Sequence, residues 1–209
     1  MTITFFAGPS LVKDDVADKL TDFEISPPVK YGDIAKLVLN RVEKPISAIV
    51  IIDGFFHQTA AVWHKEILFA LTNGIPVYGA SSMGALRAAE LKAFGMQPYG
   101  MIADAYVAGQ FPGFDDPFDG DDEVAFLFGP KELGYPTTLA LVDVRWRVVQ
   151  AVEAGDIDKN IAQAILQCMK KTWYQDRTDY LFFEACVDLA EKAGLDSNVI
   201  VRNMKSRSL

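Results

Sequence analysis

Cysteine and histidine are scarce in this sequence, which has two of each among its 209 residues. Cys168 and Cys186 stand in stretches with helical periodicity and belong to no C-x-x-C pair or Cys/His set with the spacing of metal ligands. A disulfide framework and a zinc site are therefore excluded as the basis of the fold. We expect both cysteines to be buried as small hydrophobic side chains in a reducing compartment, and we expect no metal and no cofactor.

Long apolar runs and an excess of positive charge are also missing. No apolar run approaches the ~20 residues of a membrane-spanning helix, and residues 1–8 lack the basic region that opens a signal peptide. The 20 lysines and arginines are outnumbered by 28 aspartates and glutamates, which gives a net charge of −8. Because negative charge disfavours nucleic acids and anionic membranes as partners, we expect neither, and we expect a cytoplasmic protein that meets basic protein surfaces.

What the sequence does contain is typical of a globular protein, with 50% hydrophobic and 23% charged residues. A chain of this length can fill one core of ordinary size. We therefore predict a single domain over residues 1–209, with an α/β core in residues 1–110, an acidic irregular loop in 111–136 and a helical part in 137–209.

Strand and helix patterns alternate through the first half of the chain. Alternation with short connections predicts an α/β fold with a mostly parallel sheet built from βα units, and the helical periodicity of the second half predicts a helical C-terminal layer. The predicted strands are residues 2–6, 23–25, 46–52 and 75–79. The predicted helices are residues 14–20, 34–42 with Asp33 as N-cap, 60–72, a helix after Ser82, a short helix within 98–109, 139–154, 157–171, 179–193 and 197–204. Gly74, Gly155 and Gly194 are predicted helix stops.

Residues 111–123 combine six acidic side chains with prolines and glycines. A calcium-binding loop that starts at Asp115 would need an oxygen ligand at its third position and a glutamate at its twelfth, where the chain has Pro117 and Phe126. We therefore expect a solvated loop here rather than a calcium site.

Three short polar or glycine-containing segments follow predicted strands: Gly8-Pro9-Ser10, Asp53-Gly54 and residues 79–82. Functional residues of a parallel sheet gather outside the carboxyl ends of its strands, so these segments should share one edge. Asp53 could orient a base there, or its side chain could cap the backbone that follows it.

The segment around Ser81 and Ser82 connects a strand ending at Gly79 to an alanine-rich helix. One serine would cap the helix, and the other hydroxyl would lie beside free N–H groups that suit an anion or an oxyanion. The alternative is a plain strand-to-helix turn, since neither a G-x-S-x-G string nor a phosphate-binding glycine motif is present. His57 and His64 are the first candidates for a base that would activate a serine.

Lys65 is another candidate base, because its predicted helix begins beside the strand next to Ser82. Apolar enclosure and a nearby helix N-terminus would both favour the neutral amine, which could accept a proton from serine as in other Ser–Lys pairs. The side chains expected to enclose it are Trp63, Phe69 and Phe55. Alternatively, Lys65 and Glu66 belong to a solvated helix face, or Glu66 pairs with Lys65 and keeps it charged. Arg87 and Glu90, three residues apart, are expected to form a local ion pair.

A set of short strings is spread over residues 8–136. The longest is Ser-Ser-Met-Gly-Ala-Leu-Arg-Ala-Ala-Glu at residues 81–90. The others are Gly8-Pro9-Ser10, Pro27-Pro28, Gly32-Asp33, Ile52-Asp53-Gly54, Trp63-His64-Lys65-Glu66-Ile67-Leu68, Phe94-Gly95-Met96, Asp121-Asp122-Glu123-Val124-Ala125 and Gly134-Tyr135-Pro136. In these strings the chain resembles the TfuA-like proteins, a family encoded beside YcaO enzymes, which install thioamides in peptide backbones. Past Arg145 the resemblance fades.

The resemblance implies a hydrolase-like site with a Ser–Lys pair, formed here by Ser82 and Lys65, with a lesser role for Ser81. Its implied reaction is hydrolysis of the C-terminal thiocarboxylate of a ThiS-like sulfur carrier protein, which releases sulfide. The N–H groups near Met83 and Gly84 would hold the oxyanion. The implied partners are a YcaO enzyme, the carrier and the precursor peptide.

The glycine tail of such a carrier needs a narrow groove, and Gly8, Gly54 and Gly79 are suited to close approach of its backbone. We also assign Asp53 to this substrate-binding group. Two other functions stay open. The chain could be a non-catalytic accessory protein that binds YcaO and its peptide, or it could be an anion-binding or nucleotide-binding module.

Overall fold

The computed structural model describes residues 2–11, 21–40 and 45–205. The predicted helix at 14–20 and the predicted end of the next helix, at Val42, lie outside these residues. The chain divides into two compact units, one made of Met1–Gly109 and Gly129–Tyr135 and the other of Gln110–Phe128 and Pro136–Leu209. The expectation of a single domain stays a prediction.

The first unit contains a five-stranded sheet in which every strand pair is parallel. Its strands are β1 (Thr2–Phe6), β2 (Phe23–Ser26), β3 (Ile46–Ile51), β4 (Val77–Gly79) and β5 (Gln97–Pro98), in the order β2-β1-β3-β4-β5. Ile49 and Ile51 of β3 are fully buried, as expected of a nearly unbroken apolar strand covered on both faces. The predicted α/β class is confirmed, and β5, which has only two residues, was not predicted.

Four described helices belong to this unit: α1 (Asp33–Leu39), α2 (His64–Thr72), α3 (Met83–Leu91) and α4 (Met101–Ala108). Asp33 is the first residue of α1 rather than its N-cap, because Gly32 takes the capping position with φ 87°. Helix α2 begins four residues later than predicted. Gly74 follows it with φ 75°, so this predicted stop is confirmed.

The second unit contains α5 (Leu141–Glu153), α6 (Lys159–Lys170), α7 (Asp179–Lys192) and α8 (Ser197–Lys205). The side chains of Asp158 and Thr178 accept hydrogen bonds from backbone N–H groups in the first turns of α6 and α7. Gly155 and Gly194 have φ values of 77° and 71°, which confirms both as helix stops. The helical C-terminal part is therefore as predicted, with each boundary shifted by no more than two residues.

The acidic segment 111–123 is only partly the solvated loop that we expected, because Asp115, Asp119 and Asp121 are exposed whereas the other three acidic side chains pair with buried arginines. Arg145 on α5 is fully buried and donates to Asp116 and Glu123, at N–O distances between 2.7 and 3.0 Å. Arg177 is also fully buried and donates to both carboxylate oxygens of Asp122 at 2.9 Å. These acidic side chains therefore neutralise two buried arginines. A buried arginine without such a partner would strongly destabilise the unit.

The cysteine prediction holds for one residue and fails for the other. Cys186 is buried, and burial raises the pKa of its thiol to about 12. Cys168 is exposed, because it falls on the outer face of α6. Within the ranges described above, no helix is both long and apolar enough to cross a membrane.

Candidate functional site

The three segments predicted to share an edge of the sheet follow β1, β3 and β4, which are adjacent strands. Backbone hydrogen bonds connect the residues around them: the N–H of Ile52 donates to Phe6 at 2.9 Å, and that of Ala80 donates to Ile51 at 3.0 Å. In this strand order the chain leaves β1 toward β2 and returns to β3 on the opposite side. The point between β1 and β3 is where ligands bind in doubly wound sheets.

Asp53 lies at this point and is fully buried. Its Oδ2 accepts hydrogen bonds from the N–H groups of Gly8, at 2.7 Å, and Ser10, at 3.0 Å. Its carbonyl oxygen accepts the N–H of Val29 at 2.8 Å. Asp53 therefore holds the turn after β1 to the end of β3. Among the described residues its side chain does not cap the backbone that follows it, which was the alternative that the sequence left open.

The second carboxylate oxygen of Asp53, Oδ1, is buried and has no hydrogen-bond partner among the described residues. Burial raises the pKa of Asp53, while hydrogen bonds from Ser10 and Gly8 lower it by less. Burying a charged carboxylate oxygen that has no hydrogen-bond donor costs free energy. The protonated form of Asp53 is therefore more favoured in this site than it would be in water.

Tyr135 is a neighbour of Asp53 that the sequence did not single out for chemistry. Burial raises the pKa of its hydroxyl, and the negative charges of Asp53 and Glu132 raise it further. Tyr135 has φ 52°, a left-handed conformation that is uncommon for a bulky residue. The sequence signal for this residue was the string Gly134-Tyr135-Pro136, because glycine and proline are typical of turns, where positive φ values occur.

The serine turn connects β4 to α3. Ser81 is half-buried and has φ 58°, whereas Ser82 is only 4% exposed and is the N-cap of α3. The side chain of Ser82 makes no capping hydrogen bond to the helix. Its carbonyl oxygen accepts the N–H groups of Ala85 and Leu86, at 3.1 and 3.3 Å. The capping role that we expected for a serine hydroxyl is therefore not filled by Ser82.

One of the two predicted oxyanion donors is already in use. The N–H of Gly84 donates to the carbonyl oxygen of Ile52 at 3.1 Å. The N–H of Met83 has no acceptor in the part of the chain that the structure describes. The oxyanion role predicted for Gly84 conflicts with this hydrogen bond, whereas the role predicted for Met83, which is 1% exposed, stays a prediction.

Internal packing accounts for the glycines at the strand ends. A Cβ on Gly84 would overlap the carbonyl oxygen of Ile51, and a Cβ on Gly79 would overlap that of Gly84. A Cβ on Gly54 would lie 2.6 Å from Met83 Cγ, and one on Gly8 would lie 2.6 Å from Pro28 Cγ. These glycines let α3 and the connecting turns lie directly against the ends of the strands, whether or not a substrate also passes them.

Lys65 is exposed and lacks the apolar enclosure that we expected. The neighbouring Trp63 and Phe69 are themselves 54% and 37% exposed. Its ammonium group has no hydrogen-bond or ion-pair partner among the described residues. Glu66 does not pair with it, because Glu66 is buried and accepts N–H groups from the backbone, including that of Gly32 at 2.9 Å.

The start of α2 is joined to α3 by polar contacts. Arg87 donates to Glu90 at 2.6 Å, as predicted for this pair, and Glu90 also contacts His64 Nε2 at 2.8 Å. Arg87 donates in addition to the carbonyl oxygen of Val62 at 3.3 Å. His64 is therefore part of a hydrogen-bonded cluster at the surface, and His57 lies in an exposed turn with φ 53°.

A comparison with protein families agrees with the resemblance seen in the sequence. A family model described as TfuA-like protein matches residues 53–178, a range that begins at Asp53 and includes Lys65, Ser82 and Tyr135. No curated protein matches the chain.

Proposed function

We propose, since this chain belongs to the TfuA-like protein family, that it supplies sulfide to a YcaO enzyme by hydrolysing the thiocarboxylate of a ThiS-like sulfur carrier protein. The family is associated with YcaO enzymes and peptide-backbone thioamidation. The observation that carries the proposal is the serine turn at the end of β4, where a serine hydroxyl adjoins the unoccupied N–H of Met83. A hydroxyl beside such a donor suits attack on a carbonyl carbon.

In the proposed reaction, Ser82 Oγ attacks the carbonyl carbon of the thioacid and its proton passes to the neutral amine of Lys65. The N–H of Met83 stabilises the oxyanion of the tetrahedral intermediate. The carbon–sulfur bond then breaks, and sulfide leaves with the proton held by Lys65. Water attacks the resulting acyl-serine, which yields the carboxylate of the carrier and restores Ser82. The net change is thioacid plus water to carboxylic acid plus hydrogen sulfide.

The exposure of Lys65 fits this scheme if the carrier itself completes the site. An ammonium in water stays charged, and covering it with a docked protein favours the neutral amine. Tyr31 and Trp63, which are about half exposed and have ring centroids 4.6 Å apart, flank the start of α2 and offer an aromatic surface for that contact. We therefore propose that the carrier docks over α2 and so activates Lys65.

The test is mass spectrometry of a thiocarboxylated ThiS-like carrier incubated with the protein. Conversion of thiocarboxylate to carboxylate is expected with the unchanged chain and is expected to be lost in Ser82→Ala and Lys65→Ala. Lys92→Ala, which removes another exposed lysine, serves as the matched control and should retain the activity. Unchanged hydrolysis in Ser82→Ala would refute the assigned nucleophile, and Ser81→Ala in parallel shows whether the neighbouring hydroxyl is used.

A non-catalytic accessory role is the second candidate function, favoured by large apolar side chains exposed on the first unit. Phe94 and Tyr99 are 63% and 74% exposed, and such side chains are common at protein interfaces. If this function holds, Phe94→Ser and Tyr99→Ser should weaken binding of a YcaO enzyme, while Ser82→Ala should leave both that binding and thioamide formation intact.

A further inference from the structure

The first unit has a cavity beside the edge strand β2, at the opposite side of β1 from β3. It is a crevice of about 530 Å³ that follows β2 and the turn after β1. Its walls include the apolar side chains of Leu11, Ile25 and Pro27, and Lys131 and Tyr135 close one side. We call this cavity the β2 crevice.

The β2 crevice adjoins the candidate site, because two of its lining residues interact with Asp53. Tyr135 lies close enough for the charge of Asp53 to affect its hydroxyl, and Gly8, which donates to Asp53, lines the crevice. The carboxyl edge of the sheet thus leads from the serine turn, over the buried Asp53, to the crevice.

The length of this path follows from the strand order. Going from β4 through β3 and β1 to β2 crosses three strand spacings of about 4.8 Å, or roughly 14 Å in all. An extended peptide advances about 3.3 Å per residue, so this distance corresponds to about four residues. A peptide whose terminal carbonyl lies at the serine turn would reach the β2 crevice with a residue about four positions upstream.

We propose that the β2 crevice binds the C-terminal tail of the sulfur carrier and accepts an apolar side chain about four residues before the thiocarboxylate. The identity of this tail rests on the proposed function. The apolar walls fit an aliphatic side chain, and Lys131 places a positive charge at the rim whose ammonium has no partner in the described ranges. Glu24 also lines the crevice, so an acidic residue of the tail is favoured next to the apolar one only where it lies at the rim beside Lys131.

The experiment measures binding of dye-labelled octapeptides that end in Gly-Gly carboxylate, by fluorescence anisotropy with the full chain. One peptide has leucine at the fourth position from its C-terminus, and the matched peptide has the same composition with leucine moved to the seventh. The first should bind at least about tenfold more tightly, because burying one leucine side chain is worth at least that factor. Leu11→Trp, which fills the crevice from a half-buried turn position, should abolish this preference.

Equal binding of the two peptides, or no binding of either, would overturn the crevice proposal. Lys131→Ala should weaken binding of a leucine peptide that carries a neighbouring aspartate more than it weakens binding of the aspartate-free peptide; Lys92→Ala should change neither. Because the readout is binding of a carboxylate, it does not depend on hydrolysis. Position-dependent binding together with an inactive protein in the mass-spectrometry test would refute the proposed reaction and retain the crevice as a tail-binding site.

Discussion

Asp53 Oδ2 and the N–H of Gly8 form a buried hydrogen bond of 2.7 Å that connects the carboxyl ends of β3 and β1. The same oxygen also accepts the N–H of Ser10. Two backbone donors on one carboxylate oxygen fix the turn at the point where the sheet changes direction. The position of the candidate site therefore depends on one acidic side chain.

We predict that Asp53→Ala lowers the free energy of unfolding by about 2 kcal/mol, because the buried N–H of Gly8 and the part-buried N–H of Ser10 lose their acceptor. Urea denaturation followed by circular dichroism measures this change. Asp53→Asn keeps an oxygen of similar position and should cost less. A loss below ~0.5 kcal/mol in Asp53→Ala would show that the turn is held by other contacts.

The Asp53 carboxyl should also make the stability of the fold depend on pH, with a sign opposite to that of most acidic residues. Its pKa in the folded protein is raised by burial, so between the unfolded value of about 3.9 and the higher folded value the native state binds more protons. The contribution of Asp53 to stability is therefore full below that window and falls as pH rises through it. The free energy of unfolding of Asp53→Asn, relative to that of the unchanged protein, should therefore increase as pH rises from 4 to 7.

Local patterns predicted most of this fold because they reflect local physics. The apolar run ending at Ile51 is a buried strand, and the alanine-rich stretch after Ser82 is a helix. Gly74 stops its helix because only glycine adopts a positive φ without strain. Signals of this kind need no knowledge of the partner residues.

Contacts between distant residues were not predictable in this way. The buried Arg145 lies 22 residues from Glu123, and nothing in either local pattern indicates that the acidic segment is folded against an arginine. Tyr135 and Asp53 are 82 positions apart, and their interaction arises only in the folded unit. The exposure of Lys65 likewise depends on which helix face meets the sheet.

Gly84→Ala tests the close packing between α3 and β3. The added methyl group would overlap the carbonyl oxygen of Ile51, so either the helix or the strand must shift. We expect a loss of about 3 kcal/mol or more in the free energy of unfolding, at the upper end of what overpacking costs. Gly120→Ala is the control, because its φ of −88° is ordinary and the nearest atom to the new Cβ is 4.0 Å away. Equal melting temperatures for the two variants would contradict the proposed packing.

The ion pairs of Asp116 should make the stability of the second unit sensitive to acid. Burial alone would raise its pKa, but hydrogen bonds from Arg145 and Lys170 outweigh this and lower the pKa to about 2. A depressed folded value means that its stabilising effect is full above the unfolded value of about 3.9 and is lost as pH falls through about 2. We expect about 2 kcal/mol to disappear over this window, which urea denaturation at a series of pH values can measure. In Asp116→Asn, this part of the acid dependence should be missing.

The two cysteines should differ sharply in reactivity toward a thiol reagent. The thiolate is the reactive form, and burial raises the pKa of Cys186 to about 12, so almost none of it is ionised at pH 8. Cys168 is exposed on α6 and open to reagent. We expect the native protein to release one equivalent of chromophore rapidly with a disulfide reagent and the second only after unfolding. In Cys168→Ser the rapid phase should vanish while the slow one remains, and rapid labelling of Cys186 in that variant would show that α7 opens without global unfolding.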